Sequence, residues 1–121
     1  MTFDKAVFGG ASLVTVGGRI DMSNSDAFKD SLMEVVAAAD TAIVIDMSGV
    51  DYISSAGLRS LMIALRAAKA AGKGFGVAAL RPLVLEIFTI SRFNLVFSLF
   101  GAVREAFAAL APDSLDSFTA S

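Results

Sequence analysis

Ser54 and Ser55 stand side by side in the stretch IDMSGVDYISSAGLRSL, from Ile45 to Leu61, with Ala56 and Gly57 directly behind them. Hydroxyls placed between an apolar strand-like run and an amphipathic helix-like run are suited to three tasks: capping a helix, attacking an electrophile, or receiving a phosphoryl group. Capping is the ordinary use of such a serine, since its oxygen accepts a hydrogen bond from a first-turn N–H. One serine is enough for that, which leaves the other free to face solvent where unpaired N–H groups and the helix dipole favour added negative charge. Nucleophilic catalysis needs a base beside the hydroxyl. The chain has no histidine, so only lysine or a carboxylate remains, and the Gly-x-Ser-x-Gly elbow is missing. Phosphorylation fits the residues better than turnover.

The other candidate groups are weaker. Asp21, Asp46 and Asp51 flank the serine pair in sequence, and Asp21 and Asp46, each following a strand-like run, are expected in loops. Three carboxylates raise the question of Mg²⁺, but no ligand pair stands at a defined spacing, so no metal and no other cofactor is expected. Gly17-Gly18 and Gly72-Lys73-Gly74 lack the Lys-Ser/Thr ending of a phosphate loop and read as turns. With no cysteine in the chain, disulfides, thiolate chemistry and cysteine-bound zinc are excluded.

Composition narrows the partners. Ten Lys and Arg against twelve Asp and Glu give a net charge of −2, and the basic residues form no stripe, which argues against direct nucleic-acid binding. Mean hydropathy is +0.70, but Glu86 and Arg92 interrupt the most apolar stretch, Leu83 to Val103. No run reaches the roughly 18 uncharged apolar residues of a membrane span. The start, Met1 to Lys5, lacks a basic region followed by an apolar block. A soluble, cytoplasmic protein without membrane association is expected.

These residues need a scaffold, and 121 residues are enough for one compact core. Thr2 to Phe8 and Ala11 to Gly17 read as strands joined through Gly9-Gly10 in an antiparallel hairpin. Asn24 is placed to cap a helix on which Ala27, Phe28, Leu32, Val35, Val36 and Ala39 recur at helical spacing. Ala42 to Ile45 is a short, continuous apolar run, as in a strand covered on both faces. A second amphipathic helix follows from Gly57, with Leu58, Leu61, Met62, Leu65 and Ala68 on one side, until Gly72 and Gly74 end it. Strand-like Phe75 to Ala79, a helix over Leu83 to Ile90 behind Pro82, a strand over Leu95 to Leu99 and a helix over Ala102 to Leu110 complete the pattern. Residues 112–121 are expected to be a flexible tail. The fold class is a single α/β domain over residues 1–111: a mixed, mostly parallel sheet, an antiparallel N-terminal hairpin and about four helices. Phe93, Phe97, Phe100 and Phe118 read as core, the usual place for aromatics at this density.

The stretch Asp46-Met47-Ser48-Gly49-Val50-Asp51-Tyr52-Ile53-Ser54-Ser55-Ala56-Gly57-Leu58 resembles the signature of STAS domains, in particular bacterial anti-sigma factor antagonists of the SpoIIAA and RsbV type. Gly18-Arg19-Ile20-Asp21 and Ile87 to Phe93 extend the resemblance over nearly the whole chain. It implies partner switching. The unphosphorylated antagonist binds an anti-sigma factor that is also a serine kinase of the GHKL type; phosphorylation ends the binding, and a PP2C-type phosphatase resets it. The family's modified hydroxyl falls on Ser55, while Ser54 takes a place often held by aspartate and Ala56 one often held by Ser or Thr. The implied partner-binding face comprises Asp21, Met22, Ser23, Asp46, Ser48, Ser54, Gly57 and Arg59, with Gly57 allowing close approach of the kinase. Two other functions suit the same residues: a regulatory or scaffold subunit of a transporter or stress complex without a phosphorylation cycle, and a nucleotide or anion sensor.

Overall fold

A computed structural model describes residues 1–120 of the chain. Strand β1 (Thr2–Phe8) turns at Gly9-Gly10 into β2 (Ala11–Ile20), and the two pair antiparallel with Phe8 opposite Ala11. A two-residue hairpin loop requires positive φ, which Gly9 supplies at +62°. Helix α1 (Ser25–Ala38) leads to β3 (Ala42–Ile53), α2 (Ser55–Ala70) to β4 (Gly74–Ala78), and α3 (Pro82–Ile90) to β5 (Ser98–Phe100). The sheet order is β1-β2-β3-β4-β5, parallel from β2 onward.

Because sequential parallel strands are neighbours, right-handed crossovers place every connecting helix on the same face of the sheet. The core follows this rule. Phe28 and Leu32 of α1, Leu58 and Leu61 of α2, and Val84 and Phe88 of α3 are packed with Val14, Ile43 and Ile45 in one cluster. Among the described residues, the opposite face is covered by the last helices of the chain, where α4 (Val103–Leu110) packs Ala106 and Phe107 on Ala11, Ala42 and Val44. The run Ala42 to Ile45 therefore alternates between two cores and is wholly buried, as its unbroken apolar composition predicts.

Some boundaries differ from those expected. Asp46 lies inside β3, opposite Thr15 and Ala78, because β3 continues along β2 after parting from β4. The last strand starts at Ser98, since Phe93–Leu95 wind into a 3-10 turn. Of residues 112–121, read from sequence as a flexible tail, Pro112–Ser114 form a 3-10 turn and Leu115–Ala120 a fifth helix, α5, while Ser121 lies outside the described residues. Phe118 on α5 stacks on Phe107 at 4.7 Å and meets Phe8 edge-on at 5.4 Å. One aromatic among polar residues is too little periodicity to reveal a helix in sequence.

Candidate functional site

One cap, one packed glycine and one buried serine fix the start of α2. Ser54 is the N-cap: its Oγ accepts from the Gly57 N–H at 3.3 Å, and its own N–H donates to the Ile20 carbonyl at 2.9 Å. Gly57 is buried, and a Cβ there would lie 2.7 Å from Ile53 Cγ1 and 2.8 Å from Ile20 Cγ2. Its lack of a side chain serves the seating of α2 on the sheet; it does not open a surface to a partner. Ser60, one turn further, is buried and donates to the carbonyls of Ser25 at 2.9 Å and Ala56 at 3.1 Å, tying α2 to the start of α1.

Ser55 is then the first residue of the helix and is exposed, with no acidic residue in the first turn beside it. With Leu58, Arg59 and Met62 it forms a stripe along α2. Arg66 continues the stripe and Ser91 and Phe93 face it across an open groove of about 480 Å³. Positions 55, 59, 62 and 66 follow helical spacing, so this stripe was readable in the sequence, although the far wall from the α3 corner was not.

The turn after β2 sits beside this helix start, because Ile20 pairs with Ile53. Asp21 accepts from the Ser23 hydroxyl at 2.6 Å, the Ser23 N–H at 2.9 Å and Arg19 Nε at 3.1 Å. The bonds from Ser23, with a smaller contribution from Arg19, hold the Asp21 carboxyl below its ordinary pKa. Asn24 precedes α1 without a side-chain cap bond. Its Oδ1 instead accepts from the Asp21 N–H at 3.0 Å, and its Nδ2 donates to the Arg19 carbonyl at 2.8 Å. The Arg19 guanidinium lies 4.2 Å from the centre of the Tyr52 ring. Met22, at the tip, is 83% exposed. Asp21, Met22 and Ser23 thus share one edge with Ser54 and the mouth of α2, while Arg59, one turn on, borders the groove toward Ser91 and Phe93.

Asp46 and Ser48 do not join them. Asp46 is opposite Thr15, five residues before Ile20 on the same strand, roughly 16 Å at strand rise. This part of β3 is held by Arg81, whose Nε donates to the Ser48 carbonyl at 2.7 Å and whose Nη1 pairs with Asp51. The sequence gives no hint that Arg81, thirty residues on from Asp51, makes this link. Nor does it show Lys73, in the glycine-flanked turn, donating to the Val36 carbonyl at 2.6 Å near the end of α1. Among the described residues, no three carboxylates gather into a metal-binding group and no helix is long and apolar enough to cross a membrane.

Comparison with known proteins identifies the fold and the family. A family model described as "Mlab, STAS domain" matches residues 6–99. The anti-sigma-F factor antagonist RsfB of Mycobacterium tuberculosis is 28% identical over 116 residues, 96% of this chain and 94% of that one. The crystal structure of an anti-sigma factor antagonist from Mycobacterium paratuberculosis superimposes with a TM-score of 0.83 at 30% identity, covering 90% of this chain and 92% of the other. The Bacillus cell fate determinant SpoIIAA in its phosphorylated form shares the fold at 14% identity, with a TM-score of 0.67 over 88% of this chain and 97% of that one. With a capped strand-to-helix junction, a five-stranded mixed sheet and a family match over most of its length, the chain belongs to the STAS domain family.

Proposed function

We propose that the chain is an anti-sigma factor antagonist, a regulatory binding protein and not an enzyme, whose binding is switched by phosphorylation of Ser55. The observation that carries this reading is the division of labour at the start of α2. Ser54 does the capping, so the Ser55 oxygen stands exposed at the helix mouth with no role in the fold. The similarity to proteins named as anti-sigma factor antagonists supports the partner class.

In its unmodified form the chain binds an anti-sigma factor that is itself a serine kinase, through the surface formed by Asp21, Met22, Ser23, Ser54, Ser55 and Arg59. Asp46 and Ser48 belong to this surface only if the partner reaches along β3. A phosphoserine carries roughly −1.5 to −2 charges, which the helix start tolerates. Across an interface, a like-charge pair about 6 Å apart opposes binding by about 3 kcal/mol at an effective dielectric of about 20, an upper figure before screening. Since about 1.4 kcal/mol is tenfold in affinity, one or two such pairs release a partner while the core stays intact. A PP2C-type phosphatase restores the binding form.

The test is incubation with the cognate kinase and ATP, followed by peptide mass spectrometry and a binding titration. Phosphate on Ser55, a Ser55→Ala chain that binds but is not released by ATP, and weakened binding by Ser55→Asp are expected. Modification elsewhere, or Ser55→Asp binding as tightly as the parent, would refute the switch.

A further inference from the structure

Ser55 and Arg59 are four residues apart on α2, both exposed, and both border the same groove. On a helix this spacing brings two side chains together, and an anion N-terminal to a cation is the favourable order. The groove's other charged group is Arg66; its remaining lining is apolar or hydroxyl, including Ser91 on the facing wall. Among the described residues the ion pairs are Arg19 with Asp21 and Arg81 with Asp51, so Arg59 is committed to no carboxylate. The first turn of α2 holds no acid that would repel a phosphate or compete for the arginine. Arg66 lies eleven residues from Ser55, about 16 Å along the helix, out of reach of a group on Ser55.

We propose that Arg59 is a receiver for the phosphate on Ser55, so that modification changes the docking face twice: it adds a dianion and it withdraws Arg59 from partners. This rests on the Ser55 reading above and specifies how the switch works. In the transfer, Ser55 Oγ forms a bond to the γ-phosphorus of ATP as the bond to the departing ADP oxygen breaks, and the hydroxyl proton passes to the kinase's base. The ester oxygens then meet the guanidinium in the paired geometry that arginine offers to phosphate. A partner carboxylate that Arg59 binds in the unmodified chain meets phosphate instead.

The experiment does not need the kinase. Phosphoserine is placed at position 55 during translation by amber-codon suppression, and the phosphate is followed by ³¹P NMR through its second ionisation, near pH about 6. In the parent, the apparent pKa is expected about half a unit to one unit lower than in Arg59→Gln, and added salt narrows the gap. Arg66→Gln is the control and titrates with the parent. Coincident titrations of parent and Arg59→Gln would overturn the proposal, as would an equal shift in Arg66→Gln, which would mark a diffuse field and not a receiver. The outcome is separable from the functional reading. A kinase that ignores Ser55 defeats partner switching and leaves this titration unchanged, whereas coincident titrations remove the receiver and leave the switch.

Discussion

Two strand-to-helix junctions leave neighbouring parallel strands of this sheet, and they are built in opposite ways. From β3 into α2, the chain is relaxed and over-determined: Ser54 caps, Gly57 fits against Ile20 and Ile53, and Ser60 bridges to α1. From β4 into α3, Ala79 takes a left-handed φ of +60°, Arg81 sits at the cap position with no side-chain cap bond, and Leu83 and Leu85 are half exposed. What holds the second junction, besides the burial of Val84 and Phe88 in the core, is the Ala79 N–H to the Phe100 carbonyl at 2.9 Å and the exposed pair of Arg81 with Asp51. The contrast teaches why the first is suited to a switch. A site that would accept and lose a phosphate without moving, as proposed for Ser55, is best placed where packing and caps already fix the backbone, with one hydroxyl to spare.

The sharpest way to break this contrast is Gly57→Ala. The added methyl meets Ile53 and Ile20 below contact distance, and overpacking of this kind costs about 1–3 kcal/mol. A denaturant midpoint equal to the parent's would show that α2 is free to slide, contrary to the picture of a fixed junction. Ser54→Ala comes next, with a loss of about 1 kcal/mol from the missing cap, read by the same unfolding curve. Ser55→Ala serves beside it as the neighbour expected to leave stability unchanged.

At the second junction the sign reverses. Ala79→Gly relieves a left-handed alanine that costs about 1–2 kcal/mol, against the extra chain entropy of glycine of about 0.5–1 kcal/mol. A net gain of roughly 0.5 kcal/mol in thermal or chemical unfolding is expected; a loss would mean that the strain is absent. Arg81→Gln removes an exposed ion pair, and its cost should stay within about 1 kcal/mol and shrink with salt.

The smallest effect belongs to the turn beside α2. Asp21 has its folded-state pKa below the ordinary aspartate value of 3.8, mainly through Ser23. A depressed carboxyl stabilises the fold at pH above the unfolded value and loses that contribution as pH falls through the folded value. The stability difference between the parent and Asp21→Asn should therefore be present near neutral pH and fade below pH about 4. A difference that persists into acid would mean the bonds to Ser23 do not depend on the charge.

Much of this was legible in the chain itself. Gly9-Gly10 set the hairpin, the unbroken apolar run at Ala42 marked a doubly covered strand, and the serine pair declared one hydroxyl beyond the needs of a cap. What escaped was non-local. Asp46 reads as a loop residue by type and position, yet β2 extends the pairing of β3 past it. Gly57 reads as room for a partner, yet its neighbours are Ile20 and Ile53, brought there by the sheet. Asn24 has the right identity for a cap but finds better partners in Asp21 and Arg19.

By itself, the sequence determined the alternation of strands and helices, the Gly9-Gly10 hairpin turn and the chemistry available at Ser54 and Ser55, because these follow from periodicity and from the side chains of near neighbours; Gly17-Gly18, read as a turn, lies inside β2. Only the tertiary structure decided that the Asp21 turn lies beside Ser55 while Asp46 does not, that α4 and α5 close the second face, and that Arg59 and Ser91 share a groove with the serine. The physical reason is that strand register and helix docking join residues far apart in the chain, and buried shape, not residue type, selects those partners.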